Sequence, residues 1–184
     1  NTRFEFLNEQ KSDLKTSIEN ILGVINEMDE TMEREFSNTF DKVNKEFQSV
    51  FKKLFKGGHG ELVLTYPDNL LETGVDIIAE PPGKKLKNIT LLSGGEKTLT
   101  AIALLFAILN VKVVPFCILD EVEAALDEAN VDTFGTYLKE YEHKTQFIVI
   151  THKKKTMEYA NTLYGITMQE SGVSKLVSVK LEGI

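Results

Sequence analysis

The sequence predicts an α/β fold: a mostly parallel sheet flanked by helices, with β-hairpin elements, entered through one long N-terminal helix. Three observations carry that prediction. Residues 4–55 contain no proline and a single glycine, Gly23. Beyond residue 93, apolar helical stretches alternate with short continuous apolar runs. Between these regions lie two segments of alternating polarity, bounded by Gly and Pro.

In the first region the apolar positions Leu7, Leu14, Ile18, Ile21, Ile25, Met28 and Met32 follow at steps of 7, 4, 3, 4, 3 and 4. That alternation is the seam of a coiled coil. Phe36, Phe40, Val43, Phe47, Phe51 and Leu54 (or Phe55) continue it, but steps of four around Phe36 break the heptad as a stutter does. One helix results, whose first half zips against a partner helix and whose second half packs on a globular body. At 1.5 Å per residue its length is roughly 78 Å, so the seam of residues 7–32 calls for a second strand from outside the chain. The predicted organisation is a coiled-coil stub over 1–56 and a globular lobe over 57–184.

Gly57, Gly58 and Gly60 stop the helix. Residues 61–66 and 74–80 read as an antiparallel pair of strands, and Pro81-Pro82-Gly83 as a turn into Lys84-Lys85-Leu86-Lys87. Residues 98–109 are apolar all round, as in a buried helix. Buried strands are expected at 116–119 and 146–150, an amphipathic helix at 128–141 and a short helix at 153–160. Strands over 162–168 and 175–181 join around Ser171-Gly172. Continuous apolar strands separated by helices imply a parallel sheet covered on both faces.

Composition narrows the function classes. The net charge is −7. Residues 1–56 carry 9 Lys+Arg against 11 Asp+Glu, and the remainder carries 12 against 17, so no basic footprint marks a dedicated nucleic-acid binder. The longest continuous apolar stretch, Ala101 to Leu109, is short of the ~20 residues of a membrane span. The single cysteine, Cys117, sits in an apolar run and reads as a core residue; a cytoplasmic setting is expected. Starting without Met suggests a fragment or a processed chain. The lysine groups 84, 85, 87 and 153–155 read as solvated faces.

Three segments carry chemistry. In Phe116-Cys117-Ile118-Leu119-Asp120-Glu121, four apolar residues place two acids at the C-terminal edge of a strand, where open α/β sheets bind ligands. Asp120 could hold Mg²⁺ through water, and Glu121 could orient or deprotonate an attacking water. In Leu91-Leu92-Ser93-Gly94-Gly95-Glu96-Lys97, Ser-x-x-Glu is a capping box. A cap does not require two glycines, however, and these let backbone N–H groups approach an anion. In Phe147-Ile148-Val149-Ile150-Thr151-His152, a strand again ends in a polar group that can meet a phosphate oxygen. Ala125-Leu126-Asp127 follows the acid pair.

The order and spacing of these segments resemble the ABC ATPase superfamily, and their wording resembles its bacterial SMC branch from Leu92 to His152. Pro81 to Lys85 and Met168 to Lys175 are similar as well; Glu123 departs from the expected Asp. The resemblance implies the C-terminal lobe of an SMC ATPase head using ATP and Mg²⁺. It implies Glu121 as general base, His152 as γ-phosphate sensor and Asp120 on Mg²⁺. Ser93, Gly94, Gly95 and Glu96 would contact ATP held by another head, and Asp127 would act across that interface. The implied partners are the N-terminal head lobe, a second head in an ATP-dependent homodimer, a returning coiled-coil strand, the winged-helix domain of a kleisin, and DNA through the full complex. The implied setting is the cytoplasm, near the nucleoid, in chromosome condensation and partitioning.

No G-x-x-x-x-G-K-[ST] occurs: Gly83-Lys84-Lys85 has Ile78 where the first Gly belongs and lacks the hydroxyl. The chain alone is therefore expected to be inactive. Competing readings are a transporter nucleotide-binding subunit, disfavoured by the long coil, a half-head of a coiled-coil DNA-repair ATPase, and a non-catalytic platform for kleisin docking.

Overall fold

The structure, a computed structural model, describes residues 2–85, 87–170 and 172–180. Leu86, named after the turn, Ser171, named where the last two strands join, and Leu181, at the end of the last expected strand, lie outside the described residues. Two compact units are distinguished: Asn1–Lys42 with Val63–Asp76, and Val43–Leu62 with Ile77–Ile184.

Helix α1 (Thr2–Leu54) runs 53 residues without interruption. In the first unit its seam residues Leu7, Leu14, Ile18, Ile21, Ile25, Met28 and Met32 are all exposed. No described residue supplies the mate that their spacing calls for. The rest of that unit is a turn in which Thr65 N–H donates to Gly74 O (2.9 Å) and Tyr66 N–H to Thr73 Oγ1 (3.0 Å).

In the second unit the aromatic half of α1 becomes core: Phe47, Val50, Phe51 and Leu54 are buried. The helix ends in a Schellman motif, with Gly57 N–H on Lys52 O (2.8 Å) and Lys56 N–H on Lys53 O (3.3 Å). Lys56 takes the left-handed position (φ 56°) usually given to glycine. Gly60 is required by proximity, since a Cβ there would stand 2.6 Å from the Phe51 ring. Asn44 acts as a surrogate strand: its Oδ1 accepts Leu62 N–H (2.9 Å) and its Nδ2 donates to Leu62 O (3.1 Å).

A three-stranded sheet follows the order β1 (His59–Leu64), β2 (Val75–Glu80), β3 (Lys87–Asn88), with β2 and β3 antiparallel. A short 3-10 turn, Ile89–Leu91, then leads into α2 (Gly94–Val111). The apolar run over 98–109 lies within α2, which starts at Gly94 behind its cap Ser93. By length and composition α2 is apolar enough to cross a membrane. Its apolar side faces the core, however, where Leu99, Ile102, Ala103, Phe106 and Ala107 are buried. Nor is α2 buried all round, for Ala101 and Ile108 are exposed.

Strand β4 (Phe116–Asp120), helix α3 (Glu128–Tyr141) and strand β5 (Gln146–Ile150) form a parallel crossover in register, from Phe116↔Gln146 to Asp120↔Ile150. Phe106 anchors the helical side against Phe134, Tyr137, Tyr141 and Phe147, with centroids 4.4–6.2 Å apart. Helix α4 (Lys154–Met157) is shorter than expected, and β6 (Thr162–Glu170) pairs antiparallel with β7 (Val173–Lys180).

The class is α/β, but two details of the expected sheet do not hold. Among the described pairings only β4–β5 is parallel, because only there does a helix supply the crossover a parallel pair needs. The sheet is also not covered on both faces. Leu119 is buried on the helical side, whereas Phe116, Ile118, Ile148 and Ile150 on the other side are 46–58% exposed. The apolar runs did mark strands; what covers their second face is not among the described residues.

Candidate functional site

The candidate site residues lie in the second unit, at two places and at the cap of α3. The first is the start of α2. Ser93 Oγ accepts Glu96 N–H (3.4 Å), while Glu96 Oε2 accepts both Ser93 N–H (3.0 Å) and Ser93 Oγ–H (2.8 Å). The capping box read from the sequence is thus formed. Lys84 Nζ donates to Glu96 Oε1 (2.6 Å). Lys84 and the Ser93 N–H together hold the Glu96 carboxyl at about 2.

Once the box is closed, two N–H groups of the first turn have no partner among the described residues, those of Gly94 and Gly95. Nothing stands within 4 Å of a Cβ built on Gly94, whereas one on Gly95 would meet Ala125 O at 3.0 Å. The first glycine therefore faces open space, and the second packs on the loop after β4. Two free amides at a helix N-terminus suit an anion. Ser93 Oγ, already committed to Glu96, would have to turn to join them.

The second place is the C-terminal edge of β4–β5. In-register pairing brings the ends of both strands level, so Glu121 and His152 meet across the edge, Oε1 to Nδ1 at 3.3 Å. Both side chains are largely exposed. Glu121 takes a left-handed backbone (φ 47°) and donates its N–H to Ile150 O (2.9 Å). Asp120, immediately before it, is exposed and accepts no hydrogen bond from a described residue. No group of three or more His, Cys, Asp or Glu side chains suited to a metal occurs among the described residues. A cation at Asp120 would take its other oxygens from water or substrate, as Mg²⁺ commonly does.

Asp127 serves its own helix, since its Oδ1 accepts Asn130 N–H (2.8 Å) and so caps α3. Sequence reasoning missed the contact set beneath this edge. Glu123 is 1% exposed, and its Oε1 accepts the hydroxyls of Thr151 and Thr156, the latter at 2.9 Å. Lys153 Nζ donates to Leu126 O, and Lys153 N–H to Thr151 Oγ1 (3.0 Å). The departure from Asp at this position was the available signal. Two hollows, of about 500 Å³ at Thr65–Glu72 and 320 Å³ beside Tyr137, are lined by none of these residues. The candidate site is an open edge.

Comparison with known proteins gives consistent results. A family model described as the RecF/RecN/SMC N terminal domain matches residues 5–175. That description does not bear out the C-terminal placement expected from the sequence. The chromosome partition protein Smc of Bacillus subtilis (strain 168) is 63% identical over 182 residues, which is 99% of this chain and 15% of that protein. The chain thus spans about 15% of the length of the curated relatives it matches. A crystal structure of the Smc head domain with an extended coiled coil, bound to the C-terminal domain of ScpA and derived from Pyrococcus furiosus, is 39% identical with a TM-score of 0.79. The match covers 98% of this chain and 45% of that one. A second solved chain, described under ATP-driven dimerization and DNA stimulated activation of SMC ATPases, is 41% identical with a TM-score of 0.74; the match covers 82% of this chain and 91% of that one.

Proposed function

Since this chain belongs to the RecF/RecN/SMC family, we propose that it supplies one half of an SMC-type ATPase head, the half lacking the phosphate-cradling loop. The observation that carries this reading is the Glu121–His152 contact at the carboxyl edge of β4–β5, with an uncommitted Asp120 beside it. An acid, an imidazole and a free carboxylate at one strand edge suit the hydrolysis of a phosphoanhydride. The uncovered face of β4–β5 supports a head that is completed by another lobe. We retain the C-terminal placement as part of the proposal, although the family's description speaks of an N-terminal domain. Its ground is the motif content: the signature and the acid-ended strand are here, and G-x-x-x-x-G-K-[ST] is not. The division into a coil stub (1–56) and a head lobe (57–184) belongs to the same proposal.

In this reading Glu121 takes the proton of the attacking water. His152 donates Nδ1–H to Glu121, and a ring that carries both protons also donates Nε2–H to a phosphate oxygen. Asp120 would hold Mg²⁺ through water, and the ion would supply positive charge beside the phosphoryl oxygens. The free amides of Gly94 and Gly95 meet the γ-phosphate of ATP carried by a second head, with Asp127 at that junction. The seam of α1 pairs with a returning strand. A kleisin winged-helix domain and DNA as partners are supported by the likeness to solved SMC heads, and a cytoplasmic, nucleoid-associated setting belongs to the same proposal.

The test is to mix this chain with its complementary head lobe and measure ATP turnover, with and without Glu121→Gln. Turnover is expected only from the mixture, and the variant is expected to abolish it while ATP still pairs the heads. ATP hydrolysis by this chain alone would overturn the half-head assignment.

A further inference from the structure

Glu123 is out of place on stability grounds alone. It is a carboxylate at 1% exposure, and no ammonium or guanidinium among the described residues pairs with it. One oxygen, Oε1, accepts two hydroxyls; the other, Oε2, is buried without a hydrogen-bond partner among the described residues. Burying a polar network that is only partly satisfied costs more than an apolar contact of the same volume. The position therefore calls for an explanation beyond packing.

Its partners supply one. Thr151 directly precedes His152, and its hydroxyl both donates to Glu123 and accepts the N–H of Lys153. The backbone on both sides of His152 is thereby tied to Glu123, Thr151 directly and Lys153 through the Thr151 hydroxyl. On the other side, Glu123 O accepts Leu126 N–H (3.0 Å) and Glu121 O accepts Ala124 N–H (3.0 Å), so Glu123 also sits inside the tight turn that carries Glu121. Lys153 Nζ closes the same pair of loops through Leu126 O. Thr156, in α4, gives the carboxylate its second point of attachment.

We propose that Glu123 is a positioning residue: its buried carboxylate ties the loop 121–127 to the loop 151–156 and holds Glu121 and His152 in contact. Because it neither reaches the exposed edge nor faces solvent, Glu123 acts only through Thr151 and Thr156. The inference deepens the proposed function and rests on it for its catalytic meaning, but the positioning itself is a property of this chain without nucleotide.

The experiment has two arms. In the first, the His152 tautomer is read in the chain alone from imidazole carbon and nitrogen NMR signals, with Glu121→Ala defining the signals of a broken contact. Glu123→Leu and Thr151→Val should each move the His152 signals at least halfway to that reference. Glu123→Gln, which keeps an acceptor at Oε1, should leave them near the parent. Thr133→Val, whose hydroxyl bonds to Ala129 O within α3, is the control. Should Glu123→Leu not fold, Thr151→Val at its half-exposed position carries the arm. His152 signals unmoved in folded Thr151→Val overturn the proposal.

In the second arm, the mixed head should lose about tenfold in kcat in Thr151→Val with KM for ATP unchanged. That loss should not add to the loss from His152→Ala. If His152→Ala leaves turnover intact, the ATPase reading fails, while the first arm still decides the positioning. If His152→Ala lowers turnover and Thr151→Val does not, the positioning proposal fails instead.

Discussion

Glu121 and His152 are 31 residues apart in the chain and 3.3 Å apart in space. Two local facts produce that contact. The parallel pairing of β4 with β5 sets Asp120 opposite Ile150, and Glu121 turns back at φ 47° to keep its N–H on Ile150 O. A β-carbon in that left-handed region meets the backbone, at a cost of about 1–2 kcal/mol. Strain of this kind is concentrated where a side chain must be aimed.

Relieving the strain should therefore stabilise the chain. Glu121→Gly removes the clash and adds back some unfolded-state entropy, for a net gain of about 0.5–1 kcal/mol. Glu121→Ala keeps the clash and should gain nothing. Urea unfolding of both variants checks the difference; equal midpoints would show that the left-handed turn stores no strain.

The Glu96 carboxyl gives a pH signature. Its value is lowered from 4.5 to about 2, first by Lys84 and then by the Ser93 N–H, so folding favours the ionised form. A depressed carboxylate contributes stability that is complete above its unfolded value and is lost as pH falls through its folded value. The parent and Lys84→Met should thus differ most in unfolding midpoint above about pH 5, and converge as pH approaches about 2. A gap that stays constant across that range would mean that Lys84 acts through packing of its stem.

Adjacent glycines in the same turn should behave differently. Gly94→Ala meets open space and should change stability by less than about 0.5 kcal/mol. Gly95→Ala pushes on Ala125 O at 3.0 Å and should cost about 1 kcal/mol. Both place a methyl beside the two free amides, so both should weaken ATP-dependent head pairing in the mixed head. Gly94→Ala separates the effects: pairing lost with stability intact. Retained pairing would remove the amides from the proposed interface.

The sequence made the strands and the site edges legible because continuous apolar runs ending in Asp120-Glu121 and Thr151-His152 have few other interpretations. The bounds of α3 and β5 came out as read, since Asp127 caps the one and residue 146 opens the other. The beginning of α2 was legible in its cap, because the Ser93–Glu96 box starts the helix at Gly94 although two glycines there weaken helix propensity. Coverage of β4–β5 was misjudged. An apolar run reports that both faces avoid water, not that one chain provides both covers. The buried role of Glu123 was illegible: a carboxylate three residues past a strand looks solvated until Thr151 and Thr156 are brought in from 28 and 33 residues away.

A last prediction concerns how α4 is held on α3. A Cβ on Gly135 would stand 2.2 Å from one ring carbon of Tyr159 and 2.5 Å from two more. Gly135→Ala must displace the ring, and with it the Tyr159 hydroxyl that donates to Asp132 Oδ1 at 2.6 Å. That hydroxyl and Lys155 are what hold the Asp132 carboxyl below its usual range. The expected cost is about 1–3 kcal/mol from overpacking, and loss of the hydrogen bond adds to it. Tyr159→Ala removes the obstacle. In that background Gly135→Ala should cost nothing further and, through helix propensity, should gain up to about 1 kcal/mol. Urea unfolding of the parent, both single variants and the double variant measures the coupling directly. Additive costs would mean that the ring yields easily and that Gly135 is not what lets α4 approach.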